Sequence, residues 1–169
     1  MKLLSLDLST KSTGYAVFED NILVDYGCIK ASSTDVINRI QKIIKEINNV
    51  LLKHSNIKKI IVEEVRPENG QKGVGNLRTH KVLMWLQAAL EFLIHDNFAS
   101  ISIEYLYPSE WRKVCGIQTG RGIMREKLKQ ADIDFVKKIY NIEVNDDIAD
   151  AIGIGHSYVN KIDNEINWA

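Results

Sequence analysis

Two short apolar runs in this chain each carry acid. Residues 2–8 read KLLSLDL, with Asp7 near the end, and residues 57–65 read IKKIIVEEV, closing on Glu63 and Glu64. Their length and their Leu, Ile and Val content predict buried strands. A carboxylate in such a strand is costly unless something pairs with it. The sheet built from these runs therefore needs a partner for its acidic ends.

The rest of the chain supplies the other layers. Thr13–Phe18 and Ile22–Ile29 are strand-like and separated by Glu19, Asp20 and Asn21, a hairpin signal that predicts a three-stranded meander. Apolar residues in steps of three and four predict a helix over 34–53, with Ile40, Ile43, Ile44 and Ile47 on its inner face, and a second over 76–95. Ile101–Tyr107 reads as a strand, Ser109–Cys115 as a short helix, and Ile123–Tyr140 and Asp146–Lys161 as the last helices. Glycine-containing loops are expected at 67–75 and 118–122. The order predicts an α/β protein with a central mixed five-stranded sheet, meander first and parallel strands after, with helices on both faces.

A length of 169 residues suits one domain over 1–169. No apolar run is long enough to span a bilayer, and Asp7 interrupts the N-terminal apolar stretch, so no signal peptide is expected. Cys28 and Cys115 lie far apart, with no metal-binding spacing. A cytoplasmic protein is the simplest expectation.

Formal net charge is zero, but the charges are segregated. Arg66, Lys72, Arg78 and Lys81 face only Glu68 between residues 66 and 81. Arg112, Lys113, Arg121, Arg125, Lys127, Lys129, Lys137 and Lys138 crowd residues 108–140, and the chain then turns acidic. Basic segments beside a separate acidic cluster fit an enzyme that holds both phosphates and metal ions; ordinary solvated helix faces would give a similar pattern.

The third acidic feature is Asp146, Asp147 and Asp150, in NDDIADAIGIG. Asp147 and Asp150 stand one helical turn apart and can point at one site. Each feature also has a local explanation. Asp7 precedes Ser and Thr and suits a turn, Glu63 and Glu64 suit a solvated strand end, and Asp146 suits a helix N-cap. Asp150 lies among small apolar residues and fits such explanations worst. Two divalent cations would stabilise the set if the fold brought it together, and such pairs promote phosphodiester hydrolysis.

LSLDLSTKSTGYAVF resembles the RNase H-like opening of the RuvC family of Holliday-junction resolvases: an Asp on a strand, a Ser/Thr/Gly turn, then Gly-Tyr-Ala. IIVEEV resembles the family's second acidic strand, and DDIADAIGIG its C-terminal helix. Order and spacing agree across nearly the whole chain. The Ile-, Lys- and Asn-rich composition looks closest to a phage-type branch, in a bacterial host. The resemblance implies an RNase H-like fold and a metal-dependent endonuclease that nicks branched DNA in recombination. It implies catalytic, metal-holding roles for Asp7, Glu63, Asp147 and Asp150 around two Mg2+ ions, with Mn2+ able to substitute. Hydrolysis would leave a 5′-phosphate and a 3′-hydroxyl. Strand alternation alone does not separate Glu63 from Glu64.

The family's aromatic wedge, three residues after the glutamate, is replaced here by Arg66, which predicts looser specificity that includes forks and flaps. DNA contacts are expected from Arg66, Lys72, Arg78, Lys81, Arg112, Lys113, Arg121, Arg125 and Lys127. The family forms homodimers, largely through the helix after the second acidic strand. In this chain Val82, Leu83, Leu86, Ala89 and Leu90 suit either that interface or the core. Trp85, Tyr105, Tyr107 and Trp111 read as packing residues, and Trp168 as a tail anchor. Alternatives are a junction-binding protein without catalysis, an RNase H-like nuclease acting on RNA, and an actin-like nucleotide hydrolase, for which the chain is short.

Overall fold

A computed structural model describes residues 1–65, 74–120 and 122–166, the side chains at 74–76 and 162–166 excepted. Its elements are β1 (Lys2–Asp7), β2 (Ser12–Glu19), β3 (Ile22–Lys30), α1 (Val36–Lys53), β4 (Ile57–Glu63), α2 (Val74–Asn97), β5 (Ser102–Leu106), α3 (Pro108–Val114), α4 (Arg125–Tyr140) and α5 (Asp146–Ile166). One open sheet runs in the order β3-β2-β1-β4-β5. The β1/β2 and β2/β3 pairs are antiparallel, and the β1/β4 and β4/β5 pairs are parallel. The meander-then-parallel sheet read from the sequence is the one found.

The β2–β3 hairpin turns on Asp20 and Asn21, with φ 46° and 68°. A two-residue loop with both central residues at positive φ matches the twist of its strands, and Asp and Asn tolerate that conformation.

Strand alternation splits the core in two. Leu4, Leu6, Ile60 and Val62 face α1 and α2, packing with Ile43, Ile47, Leu86 and Leu90. Leu3 and Ile61 face the other way, with Phe18, Trp111, Val136 and Ile152, toward α3, α4 and α5. Side chains two residues apart on a strand share a face. Asp7 therefore shares its face with Leu3 and Ser5, and Glu63 shares its face with Ile61.

Some sequence readings need correction. Trp85, read as packing, is 44% exposed, and the Lys81 ammonium lies 5.3 Å from its ring centroid. Tyr107 is exposed, whereas Trp111 is buried at 1%. The cap of α5 is Asn145, whose Oδ1 accepts the Ile148 N–H at 3.0 Å, and not Asp146. Helix α2 begins at Val74 rather than at 76. Most of the 67–75 loop, and Trp168, lie outside the described residues. Among those described, no helix is long and apolar enough to cross a membrane.

Candidate active site

The parallel pair β1/β4 places Leu6 beside Val62, so the next residues, Asp7 and Glu63, end their strands side by side. Helix α5 lies across this face. The Ser5 hydroxyl donates to the Ala151 carbonyl at 2.7 Å, and Gly14 and Gly155 let the helix sit close. A Cβ at 14 would be 1.8 Å from the Asp147 carbonyl oxygen, and one at 155 would be 2.3 Å from the Phe18 ring. The first turns of α5 thus bring Asp147 and Asp150 to the ends of β1 and β4. The structure brings the four carboxylates expected from the sequence to one end of the sheet.

Their electrostatics follow from crowding. Burial, then the charges of Glu63 and Asp147, push Asp7 up to about 8, against the pull of Arg112 and Lys129. Burial also raises Glu63, opposed by the Trp111 N–H and by Arg112. Burial, then the charges of Asp7 and Asp132, push Asp150 up to about 10. Asp147 accepts the Ser12 hydroxyl. The Cys28 thiol lies 3.0 Å from Ser12 Oγ and 3.9 Å from Asp147 Oδ2. Glu64 follows Glu63, but its charge acts on Tyr105, which bonds Glu91 of α2 at 2.7 Å. Face and partners therefore separate the two glutamates, which strand alternation alone had left open.

The four are hard oxygen donors of the kind magnesium takes. Asp150 Oδ1 is buried without a hydrogen-bond partner, an acceptor left for something else to satisfy. The donor chemistry therefore fits a divalent cation. Among the described residues, no three His, Cys, Asp or Glu side chains converge closely enough, as they stand, to hold one ion. Glu63, Asp147 and Asp150 each have a protein partner, in Trp111, Ser12 and Arg112.

The expected DNA-contacting cations divide. Arg78, Lys81, Lys113, Arg125 and Lys127 are exposed. Arg125 stands close enough for its charge to act on Glu63. Arg66, Lys72 and Arg121 lie outside the described residues. Arg112 departs from expectation: its side chain is 11% exposed, and its guanidinium clamps Asp132, with Nη2 2.9 Å from Oδ2. A charge held so deeply needs a fixed counter-ion, which leaves it little reach for phosphate.

Three partners were missed in the sequence. Asp132, whose side chain has no exposure, belongs to none of the three acidic features that stand out in the sequence. Its position gave a signal, since it falls four residues after Leu128 and four before Val136, on the apolar stripe of α4. Trp111 was read as core and is core, but its indole N–H also donates to Glu63 Oε2 at 2.7 Å. Lys129 pairs with Asp146, and its charge reaches Asp7.

This sheet order, with α5 packed across the ends of β1 and β4, is that of the RNase H-like fold. Among solved structures, Thermus thermophilus RuvC in complex with a Holliday junction substrate matches with a TM-score of 0.69 at 15% identity, over 93% of this chain and 91% of that one. A second structure of Thermus thermophilus RuvC matches with a TM-score of 0.66 at 15% identity, over 93% and 92%. The yeast mitochondrial Holliday junction resolvase Ydc2 gives 0.58 at 15%, over 93% and 78%. No family model and no curated protein sequence matches. The RuvC-like reading of the sequence is thus met at the level of the fold.

Proposed function

We propose that this chain is a divalent-metal-dependent endonuclease that nicks branched DNA, four-way junctions above all. The observation that carries the reading is the meeting of Asp7, Glu63, Asp147 and Asp150 at one sheet end, where burial and mutual repulsion raise Asp7 and Asp150 to about 8 and 10. Carboxylates that repel one another in a buried cluster form a site for positive charge. The fold match adds the substrate class, since one matched RuvC is bound to a Holliday junction and Ydc2 is a Holliday junction resolvase.

Asp7, Glu63, Asp147 and Asp150 would hold magnesium, or manganese in its place; when bound, the metal polarises phosphate and makes water a stronger acid. The chain's own groups set up that chemistry. The Ser12 hydroxyl orients Asp147, and the Trp111 N–H orients Glu63. Exposed Arg78, Lys81, Lys113, Arg125 and Lys127 would contact the phosphate backbone, giving salt-sensitive affinity. Arg66 in place of an aromatic wedge extends the proposed substrates to forks and flaps.

A second copy of the chain is part of the proposal. Leu77, Met84, Trp85 and Phe92 of α2 are 71%, 44%, 44% and 69% exposed, and their spacing places them along one stripe. Leu86 and Leu90 are buried, and Val82, Leu83 and Ala89 half-buried, so the inner stripe packs the core and the outer one would form the interface. A two-fold dimer would present two sites to the two-fold symmetry of a four-way junction. We place this activity in the cytoplasm of a phage-infected bacterial cell, on the composition alone.

The test is cleavage of an end-labelled four-way junction, beside a fork, a linear duplex and an RNA counterpart, with magnesium and with EDTA. Metal-dependent nicks in branched DNA, absent with Asp7→Asn, are expected. Tight junction binding with no cleavage would replace the nuclease with a binding protein, and preference for RNA would change the substrate.

A further inference from the structure

Two adjacent residues of α3 reach two different carboxylates of the site. Trp111 donates its indole N–H to Glu63 Oε2 at 2.7 Å. Arg112 lays its guanidinium carbon 4.2 Å from the centroid of that indole and brings Nη2 to 3.6 Å from Asp150 Oδ2. Asp132 of α4 holds the same guanidinium, with Nε–Oδ1 3.1 Å and Nη2–Oδ2 2.9 Å. Gly153 of α5 makes room for the indole, since a Cβ there would lie 2.6 Å from Trp111 Cζ3. A two-point clamp between guanidinium and carboxylate fixes direction as well as charge. Here it fixes a side chain whose Nη2, shared between Asp132 and Asp150, lies beside both carboxylates, and whose flat face braces the ring that holds Glu63.

We propose that Asp132, Arg112 and Trp111 form a positioning unit, anchored by Asp132, that presets Glu63 and Asp150 for a divalent cation. This rests on the nuclease reading above. None of the three touches the reacting atoms, and each acts through a carboxylate. Lys is no substitute for Arg112 in this role, because an ammonium keeps the charge but not the planar fork. A cation that merely met phosphate would tolerate that exchange.

The experiment measures Mn2+ binding by calorimetry, junction affinity in EDTA, and cleavage in magnesium. It compares the wild type with Trp111→Phe, Arg112→Lys, Asp132→Asn and the Arg112→Lys/Asp132→Asn double variant. Trp111→Phe and Arg112→Lys are expected to bind Mn2+ about 10–100-fold more weakly, the range for partners that orient metal ligands. They should cut more slowly at saturating DNA and bind the junction in EDTA as the wild type does. The double variant should be no worse than its poorer single, because groups acting as a unit are not additive. Should Asp132→Asn not fold, Trp111→Phe and Arg112→Lys carry the test, since the one keeps an aromatic ring and the other the charge. Arg112→Lys with full Mn2+ affinity overturns the proposal, as does weaker junction binding with Mn2+ binding intact, which would make Arg112 a phosphate contact. If the wild type neither binds Mn2+ nor cuts, the nuclease reading fails; if it does both and the variants match it, only the positioning unit fails.

Discussion

Gly14 of β2 lies beneath the main-chain carbonyl of Asp147, so close that a Cβ at residue 14 would stand 1.8 Å from the oxygen. Sheet and helix meet there backbone to backbone, and the contact sets how deeply α5 delivers Asp147 and Asp150. Gly14→Ala should lift the first turn of α5. Overpacking of this kind costs about 1–3 kcal/mol, and cleavage should fall further than the loss of folded protein explains. Calorimetric melting beside a junction-cleavage assay tests this; full activity in Gly14→Ala would show that the seat of the helix tolerates displacement.

Glu63 and Glu64 are neighbours with different prospects. Glu63 lies on the α5 side and accepts from Trp111, whereas the charge of Glu64 acts on Tyr105. Glu63→Gln is expected to slow cleavage by roughly a hundredfold or more, beyond the range of an indirect partner. Glu64→Gln should stay within about threefold, as for substitutions away from critical features. Single-turnover rates for both variants decide it, and the reverse ranking would move the metal site to the other glutamate.

The metal-free protein should lose stability as pH rises. Asp7 sits at about 8 in the folded chain against an ordinary 3.8. Between those values the folded state keeps a proton that the unfolded state has released, so stability from this group is lost across that window. For Asp150 the window extends to about 10. Asp7→Asn removes the first contribution. In EDTA the variant should melt above the wild type at pH 8 and by a much smaller margin at pH 5, followed by circular dichroism. Added magnesium should raise the wild-type melting temperature more at pH 8 than at pH 5. A variant that melts lower at pH 8 would mean that Asp7 stabilises the apo fold in some other way.

The outer stripe of α2 should govern assembly. Buried aromatic anchors at interfaces are often worth 2 kcal/mol or more, about thirtyfold in association. Phe92→Asp, with Phe92 69% exposed in the single chain, is expected to give a folded monomer that nicks one strand without the paired second nick. Sedimentation equilibrium gives the state; an unchanged dimer would place the interface elsewhere.

Arg125 and Lys127 are exposed, and Arg125 acts electrostatically on Glu63. Replacing either with Ala should weaken binding to junctions and forks alike and lower the slope of log affinity against log salt by about 0.9 per lost phosphate contact. A salt series by fluorescence anisotropy measures this. A loss confined to one branch type would mark the residue as a reader of shape.

The sheet was legible because its signals are local. Asp20 and Asn21 mark a tight hairpin, and the β-branched run at 57–63 has one reasonable conformation. The four carboxylates were legible because an acid in an apolar strand, or among the small residues around Asp150, stands out. The partners of those acids were not. Trp111, Arg112 and Asp132 look like a core aromatic, a surface cation and a surface anion, and their joint arrangement depends on how α3 and α4 pack, which no local pattern reports. Helix α2 failed for a related reason. It is apolar on two sides, and periodicity cannot say which side meets the sheet, so Leu86 and Leu90, which face inward, read equally well as core or interface, while Leu77, Trp85 and Phe92 are the exposed ones.

The four acids come from β1, β4 and α5, elements widely separated along the chain. A polypeptide still being synthesised carries Asp7 and Glu63 long before Asp147 and Asp150 exist. Contacts of such wide sequence separation form late and together. A half-made chain or an isolated fragment therefore does not hold all four acids, and any cutting activity built on them would arrive as a single step, when α5 docks, without a partially competent precursor to damage the cell's own DNA.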